Sequence, residues 1–294
     1  MKDERMKKVL LTGQHGFIGN NIKDYLEKRC MLFTPGRDEL NLLDEDAVKK
    51  YIIENHIQII VHAANPNPVK NQLDIAEKMF EDSLRIFMNL YNVQNWYERM
   101  YILGSGAEYD KRKNLKLVKE EEIGDSIPID SYGFAKLIMN ELIKKSNKLC
   151  NLRIFACYGP NDHESKFITH AIRCCIAKKD ITIRQDCYFD YMHVYDLAKI
   201  ICYFIDNVPQ FNEYNVCTGK RILLSQIAEI VRANMNADNE ILILKEGMNF
   251  EYTGDNSRLM KEIPEFRFID IEEGIKMQIK SELKRISDGE KNEA

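Results

Sequence analysis

The C-x-x-C spacing and long apolar runs are both missing from this chain of 294 residues. Its eight cysteines are scattered without a C-x-x-C pair, and several lie inside apolar runs, where cysteine behaves as a small hydrophobe. This usage favours a reducing compartment over a secreted disulfide framework. No stretch approaches the roughly 18 to 20 uninterrupted apolar residues that span a bilayer, and the first residues lack the apolar segment of a signal peptide. We therefore expect a cytoplasmic protein with no membrane partner.

A strong excess of one charge and a metal-ligand spacing are also missing. The formal net charge is −4, and the lysine-rich segments are mixed with acids, as on a solvated face, so we expect no nucleic-acid partner. The histidines show no metal-ligand spacing, so we expect no metal site. A G-x-S-x-G elbow is absent too, which leaves a hydrolase without its nucleophile.

Short apolar runs alternate with amphipathic stretches through the first part of the chain. KKVLLTG is followed by GFIGNNIKDYLEKR, MLFTP, DEDAVKKYIIENH and IQIIVHAA, and similar patterns continue to about residue 160. Such alternation is typical of a parallel sheet with right-handed crossovers. The sequence therefore predicts an α/β fold with a doubly wound parallel (Rossmann) sheet.

Beyond Pro160 the pattern changes to helices with one short strand, ITIRQD, which predicts a smaller mixed C-terminal substrate lobe. We place the dinucleotide-binding domain at residues 1–165 and the substrate-binding lobe at 166–294, with 186–206 packing back on the first domain. In open α/β sheets, ligands bind at the carboxyl ends of the strands. Motifs that directly follow strands are therefore the candidates for function.

The first predicted strand ends in a glycine-rich loop, TGQHGFIG, that opens an amphipathic helix. Glycines permit a tight turn and close approach of a ligand to the backbone, and the N-terminus of the helix faces a pyrophosphate. This context predicts a dinucleotide site at the loop, in preference to a plain strand-to-helix turn. For His15, within the loop, a phosphate or ribose contact and simple solvent exposure both stay open.

The end of the second predicted strand, MLFTP, bears on the choice of cofactor. NAD enzymes usually place an acid there for the ribose hydroxyls, and this chain has none. Arg37 follows and can bind a 2′-phosphate, whereas Asp38 can serve the ribose instead. We therefore expect NADP(H) as the favoured cofactor, with NAD(H) as the alternative.

A candidate proton-transfer group lies in the segment SYGFAK, at the start of a long helix pattern. Tyr132 and Lys136 are four residues apart, which puts both on one face of the helix. A neighbouring ammonium favours the phenolate form of a tyrosine, and such a tyrosine can give a proton to a carbonyl oxygen as hydride arrives. Ser105, at the end of the strand pattern RMYILGS, can hydrogen-bond the same oxygen.

With these motifs in this order, the chain resembles the extended short-chain dehydrogenases, in particular the NAD-dependent epimerase/dehydratase family of nucleotide-sugar enzymes. The matching segments are TGQHGFIG, VHAAN, LGSGAEY, SYGFAK and LRIFACYGP, and the resemblance continues through HVYDLAKII and YNVCTGKRILLSQIAEIV. Within the family, RDELNLLD is similar to a segment of the GDP-fucose synthase-like 4-ketoreductases. The resemblance also implies a homodimer, formed by the helix near Ile75 to Asn92 and the helix of Tyr132, with a monomer as the alternative.

The resemblance implies roles for individual residues. Tyr132 would be the acid/base, Lys136 would hold the nicotinamide ribose and tune Tyr132, and Ser105 would bind the reacting oxygen. Leu43 and Asp44 would contact the adenine, although a helix cap is an equal alternative for Asp44. The remaining cofactor contacts implied are Gly13, Gly16, Phe17, Ile18 and Gly19 at the pyrophosphate, and Ala63 and Ala64 at the adjoining ribose.

The chain departs from the family where the substrate is bound. The arginine with which the family grips the substrate diphosphate is absent from the segment YFDYMH, so the grip falls to Lys166 or Arg258. His193 closes that segment and is expected to face the substrate, as is Ala107 near the reacting centre.

The same comparison separates the reactions of the family. Dehydratases carry Asp-Glu directly after the Ser/Thr, where this chain has Gly106 and Ala107. GDP-fucose synthases, which epimerise before they reduce, carry a Cys and a His where this chain has Ala107 and Lys166. The resemblance therefore implies NADPH-dependent reduction of a nucleotide-linked 4-keto sugar. The alternatives are a 4-epimerase with tightly bound NAD and a non-catalytic dinucleotide-sensing protein.

Overall fold

The structure, a computed structural model, describes residues 6–66 and 76–292. Its strands are β1 (Lys8–Thr12), β2 (Met31–Phe33), β3 (Ile59–His62), β4 (Arg99–Ser105), β5 (Leu115–Val118), β6 (Leu149–Ile154), β7 (Ala156–Tyr158), β8 (Ile181–Asp186), β9 (Tyr188–Phe189), β10 (Tyr191–His193), β11 (Glu213–Val216), β12 (Ile222–Leu223), β13 (Ile241–Met248) and β14 (Tyr252–Gly254). Its helices are α1 (Phe17–Glu27), α2 (Glu45–Asn55), α3 (Ala76–Asn92), α4 (Ser131–Ile143), α5 (Phe167–Ile176), α6 (Val194–Asp206), α7 (Leu224–Asn234), α8 (Ser257–Glu262) and α9 (Ile271–Asn292). Ile75, at the start of a predicted helix segment, lies outside the described residues.

The fold is α/β, as predicted, and is built on a parallel sheet of six strands in the order β11-β6-β4-β3-β1-β2. Strand order reverses beside β1, since the chain first moves outward to β2 and then crosses back to β3. Parallel strands end at a common edge, so Thr12, His62 and Ser105 all lie at the carboxyl edge of the sheet. That edge is where an open α/β sheet binds ligands.

Residues of β1 alternate between two apolar cores, one on each face of the sheet. Val9 and Leu11 belong to the core on the side of α1 and α6, together with Phe204. Leu10 belongs to the core on the side of α2, α3 and α4, together with Phe87. Because both faces are covered, the central strands read as continuous apolar runs, which made them easy to predict.

The sheet extends beyond its predicted end near residue 160. Strand β11 pairs in parallel with β6, with Glu213 opposite Asn151 and Asn215 opposite Arg153. Every residue of β11 is buried. A strand of four residues that alternates polar with apolar side chains gives no apolar run, so the sequence pattern did not reveal it.

The rest of the chain forms a second layer of small sheets and helices at the carboxyl edge. Strand β8 pairs with β13, β7 pairs with β10, and β5, β9, β12 and β14 form a sheet of four. Helices α5, α7 and α9 enclose a separate apolar core around Ile172, Ile227 and Ile275. None of the helices in the described ranges is both long and apolar enough to pass through a membrane.

Candidate active site

The glycine-rich loop between β1 and α1 is shaped for close approach. Gly13 has φ +78°, and a β-carbon there would lie 2.6 Å from the backbone nitrogen of Ala64 and 2.7 Å from the carbonyl carbon of Ala63. The loop therefore packs directly on the residues that follow β3. Only glycine combines this positive φ with so little space.

The first turn of α1 is suited to bind an anion. Gly16 caps the helix without a side-chain hydrogen bond, and no acidic residue lies in the first turn, which includes Phe17, Ile18 and Gly19. The N–H groups of a helix start favour negative charge. The loop and helix thus fit the pyrophosphate of a dinucleotide. His15, in the same turn, is exposed.

The segment after β2 lies beside this loop, because the Gln14 side chain donates a hydrogen bond to the Thr34 carbonyl. Arg37 is exposed, and within residues 6–66 and 76–292 its side chain forms no hydrogen bond or ion pair. Leu43 is also exposed. Asp44 accepts a hydrogen bond from the Ala47 N–H at 3.1 Å, so it caps helix α2.

Ser105, Tyr132 and Lys136 come together at the carboxyl end of β4. Ser105 is the last residue of β4 and is buried, and its hydroxyl accepts a hydrogen bond from the Ala107 N–H at 3.2 Å. The Lys136 ammonium donates to the Leu103 carbonyl at 2.9 Å and lies 6.0 Å from the centre of the Tyr132 ring. The backbone of β4 therefore fixes the lysine beneath the tyrosine.

A buried ion-pair network holds the turn that carries Ser105 in place. Glu108 accepts hydrogen bonds from the Ser105 N–H at 2.9 Å and from the Arg153 Nε at 2.7 Å. Arg153, which is fully buried, also pairs with Glu213 of β11 at 2.7 Å. The turn that carries Ser105 is thus tied to β6 and β11. No sequence motif indicates this network, because Glu108, Arg153 and Glu213 are far apart in the sequence.

His62 closes the space between the glycine-rich loop and Lys136. Its Nδ1 lies 2.8 Å from the Thr12 hydroxyl. Burial and the nearby Lys136 charge lower the pKa of His62 to about 3, so its ring is neutral at physiological pH.

A cavity of about 350 Å³ lies between the sheet edge and the second layer, and it is lined by Tyr252, whose hydroxyl packs against Gly106. Its walls include the aromatic side chains of Phe155, Tyr158, Phe189 and Tyr252. Lys166, a predicted phosphate contact, also lines it. Tyr252 carried no sequence signal, because it lies on a short strand without a motif, and Phe189 lies in the segment YFDYMH, where the sequence indicated only the missing arginine.

The other predicted substrate residues lie elsewhere. Ala107 is fully buried in the turn after Ser105. Arg258 is engaged by acids: it pairs with Glu121 and lies 3.9 Å from both Glu120 and Glu213. This cluster of three carboxylates around one guanidinium satisfies the charge of Arg258 within the protein.

His193 is buried at the start of α6. Its Nδ1 accepts a hydrogen bond from the Tyr195 N–H at 3.2 Å, and its Nε2 has no partner in the described part of the chain. Burial and the Lys199 charge lower the pKa of His193 to about 4. The ring packs edge-on against Tyr158, which lines the cavity.

Each of these two neutral histidines should contribute a loss of stability in mild acid. Their folded pKa values lie below the ordinary value of about 6.5, so between pH 6.5 and 4 these side chains bind a proton in the unfolded chain but not in the folded one. Each histidine should therefore lower the free energy of unfolding with decreasing pH, by up to about 1.4 kcal/mol per pH unit, whereas the buried carboxyls of Asp162 and Asp190, whose pKa values burial raises to about 7 and about 6, act in the opposite direction. Urea unfolding at pH 7, 6 and 5 measures the net slope.

His193→Asn should remove the His193 contribution and so lower the slope of the free energy of unfolding against pH by up to about 1.4 kcal/mol per pH unit relative to wild type, since the amide oxygen can still cap α6 but does not titrate. His56→Asn is the matched control, because His56 is exposed and its left-handed conformation suits asparagine. Equal slopes for wild type and His193→Asn would contradict the expectation.

The sheet order and the glycine-rich first turn define a protein of the α/β dinucleotide-binding class. Residues 9–217 match the NAD dependent epimerase/dehydratase family, and the chain belongs to that family. The predicted resemblance, the prediction of an enzyme and the prediction of a nicotinamide dinucleotide cofactor are thereby confirmed.

Similar proteins include GDP-L-colitose synthase of Yersinia pseudotuberculosis, 23% identical over 253 residues that cover 76% of this chain and 80% of the relative. GDP-L-fucose synthase of Escherichia coli K12 is 23% identical over 259 residues, with the same shares covered. Among solved structures, GDP-mannoheptose C4 reductase from Campylobacter jejuni with NADP bound has a TM-score of 0.77 and 19% identity, covering 94% of this chain and 98% of that one.

Proposed function

We propose that this protein reduces a nucleotide-linked 4-keto sugar with NADPH. The observation that carries the proposal is the composition of the turn after β4. Ser105 is followed by Gly106 and Ala107, which have no titratable group, while Tyr132 and Lys136 stand beside them. Hydride transfer with one proton donor needs no further acid/base group at this point.

Each residue has a separate part in this reaction. When bound, the nicotinamide supplies the hydride. The Ser105 hydroxyl holds the substrate carbonyl oxygen, and the Tyr132 hydroxyl gives that oxygen its proton. Lys136, held by the Leu103 carbonyl, keeps a positive charge under Tyr132 and stabilises the phenolate that remains.

The sugar and its nucleotide would occupy the aromatic cavity. The long side chain of Lys166 would offer a positive charge there to the substrate diphosphate. It would take the place of the arginine that the family carries in the segment Tyr188–His193 and that this chain lacks. The rings of Phe155 and Phe189 provide flat apolar walls for a sugar or base.

The preference for NADPH is expected to depend on Arg37. Its exposed guanidinium lies in the segment beside the glycine-rich loop, where it can pair with a 2′-phosphate. Arg37→Ala should weaken NADPH binding by about 10- to 100-fold, because a hydrogen bond to a charged group contributes about 1.5 to 3 kcal/mol, and should change NADH binding little. Fluorescence titration with both cofactors measures the two Kd values.

The control variant is Arg85→Ala, which removes an exposed arginine from α3, away from the loop. It should leave both Kd values unchanged. Equal weakening of NADPH and NADH by Arg37→Ala would contradict the 2′-phosphate contact.

The reaction itself is tested with a nucleotide-linked 4-keto sugar in heavy water. Reduction should consume one NADPH per product and leave the carbons beside the keto group free of deuterium beyond a no-enzyme control. Asp162, one of two carboxyl residues that line the cavity, makes this a demanding test, because burial raises its pKa to about 7, within the range of a proton shuttle. Deuterium incorporation that disappears in Asp162→Asn, or turnover without net NADPH use, would overturn simple reduction.

A further inference from the structure

Tyr252 of β14 reaches from the second layer to the turn that carries Ser105. A β-carbon on Gly106 would lie 2.5 Å from the Tyr252 hydroxyl oxygen and 2.9 Å from the ring carbon that bears it. The tyrosine therefore fills the space that a side chain at position 106 would occupy. Gly106 is required for this packing.

The Tyr252 hydroxyl lies beside the residue that directly follows Ser105, since a β-carbon on Gly106 would meet it. The side chains of Ser105 and Tyr132 are both near enough to influence the Tyr252 hydroxyl electrostatically. Burial and the Tyr132 charge raise the pKa of Tyr252, so it stays a protonated hydrogen-bond donor across the physiological range.

Neighbouring rings hold Tyr252 in this position. Its ring centre lies 5.3 Å from that of Phe155 and 5.5 Å from that of Phe189, and β14 is paired with both β5 and β9. Phe155, Phe189 and Tyr252 all line the cavity. A hydroxyl fixed on such a frame needs little reorganisation when charge develops beside it.

We propose that Tyr252 is a third hydroxyl of the reacting centre, which donates a hydrogen bond to the substrate oxygen alongside Ser105 and Tyr132. This role rests on the proposed reduction, in which that oxygen gains negative charge as hydride arrives. Two donors besides the proton donor stabilise the charge, one from the sheet edge and one from the second layer. Gly106, which has no side chain, leaves the space that the Tyr252 hydroxyl occupies.

Tyr252→Phe tests the role, since it removes the hydroxyl and keeps the ring that packs between Phe155 and Phe189. We expect kcat to fall about 10- to 100-fold, with KM and the NADPH Kd changed less than about 3-fold, because the bond strengthens only as charge develops. The pH profile should keep its wild-type position, since Tyr252 does not titrate in this range. Tyr203→Phe, which deletes a hydroxyl bonded to Glu262 outside the site, should behave as wild type.

Gly106→Ala provides an independent variant, because the added methyl must displace the Tyr252 hydroxyl. Its loss of kcat should not add to that of Tyr252→Phe in the double variant. A kcat within about 2-fold of wild type for Tyr252→Phe, a loss confined to KM, or a shifted pH profile would each overturn the role. If the wild type catalyses a 4-epimerase reaction instead, the proposed reduction is wrong. The same variants still test Tyr252 in that case, because the substrate oxygen at C4 also gains charge during epimerisation. Absence of any turnover would overturn both.

Discussion

Replacing Tyr132 with phenylalanine should lower kcat by about 100- to 10,000-fold, the range over which a general acid contributes. The substitution removes the hydroxyl that gives its proton to the substrate oxygen and keeps the ring above Lys136. NADPH affinity and thermal stability should stay close to wild type, since the Lys136 bond to the Leu103 carbonyl is untouched. Stopped-flow reduction, cofactor titration and thermal unfolding measure the three quantities.

This variant also separates an enzyme from a dinucleotide-sensing protein. An enzyme loses turnover and keeps cofactor binding, whereas a sensor has no turnover to lose. Tyr203→Phe serves as the matched control, because it removes a hydroxyl from helix α6 that donates to the Glu262 carbonyl. Near-normal turnover of Tyr132→Phe would show that another group supplies the proton.

Arg153→Met should destabilise the protein by about 3 to 5 kcal/mol, which is the effect of breaking a buried ion pair by removing one partner. Glu108 would be left buried without its cation, and Glu213 would keep only Arg258, which lies 3.9 Å away. The free energy of unfolding from urea titration measures the loss. Activity should fall too, since Glu108 positions the Ser105 N–H.

Arg85→Met is the comparison for this effect. Arg85 forms an exposed pair with Glu81 one helical turn away, and such pairs contribute about 0.3 to 0.5 kcal/mol. Adding Glu108→Gln to Arg153→Met should recover part of the lost stability, because it removes one of the stranded charges. A loss for Arg153→Met no larger than that for Arg85→Met would mean that the buried pairs contribute nothing net.

The fold was predictable from the sequence because its central strands are buried on both faces. Strands such as β1 and β3 are short apolar runs that alternate with amphipathic helices, and the first is followed at once by the glycine-rich loop. Strand β11 was not predictable in this way. Its Glu213 and Asn215 face a polar network that only the folded chain assembles.

The candidate site was predictable where its residues lie within one motif. Tyr132 and Lys136 are one helical turn apart, so a local spacing predicts their contact. The cavity walls are different, since Phe155, Phe189 and Tyr252 come from three separate strands. No spacing rule connects them, and only the packing of the second layer on the sheet edge brings their rings together.

The position of β11 has a consequence for how the chain matures during synthesis. A fragment that ends at residue 165 would contain five of the six strands and would expose β6 as an unpaired edge, open to association with other chains. It would also leave Arg153 without Glu213. The nascent chain therefore cannot complete the six-stranded sheet until Val216 has left the ribosome. By that stage helix α5 and strands β8, β9 and β10 of the second layer have also emerged. The two parts of the protein should consequently fold as one cooperative unit, with a single unfolding transition.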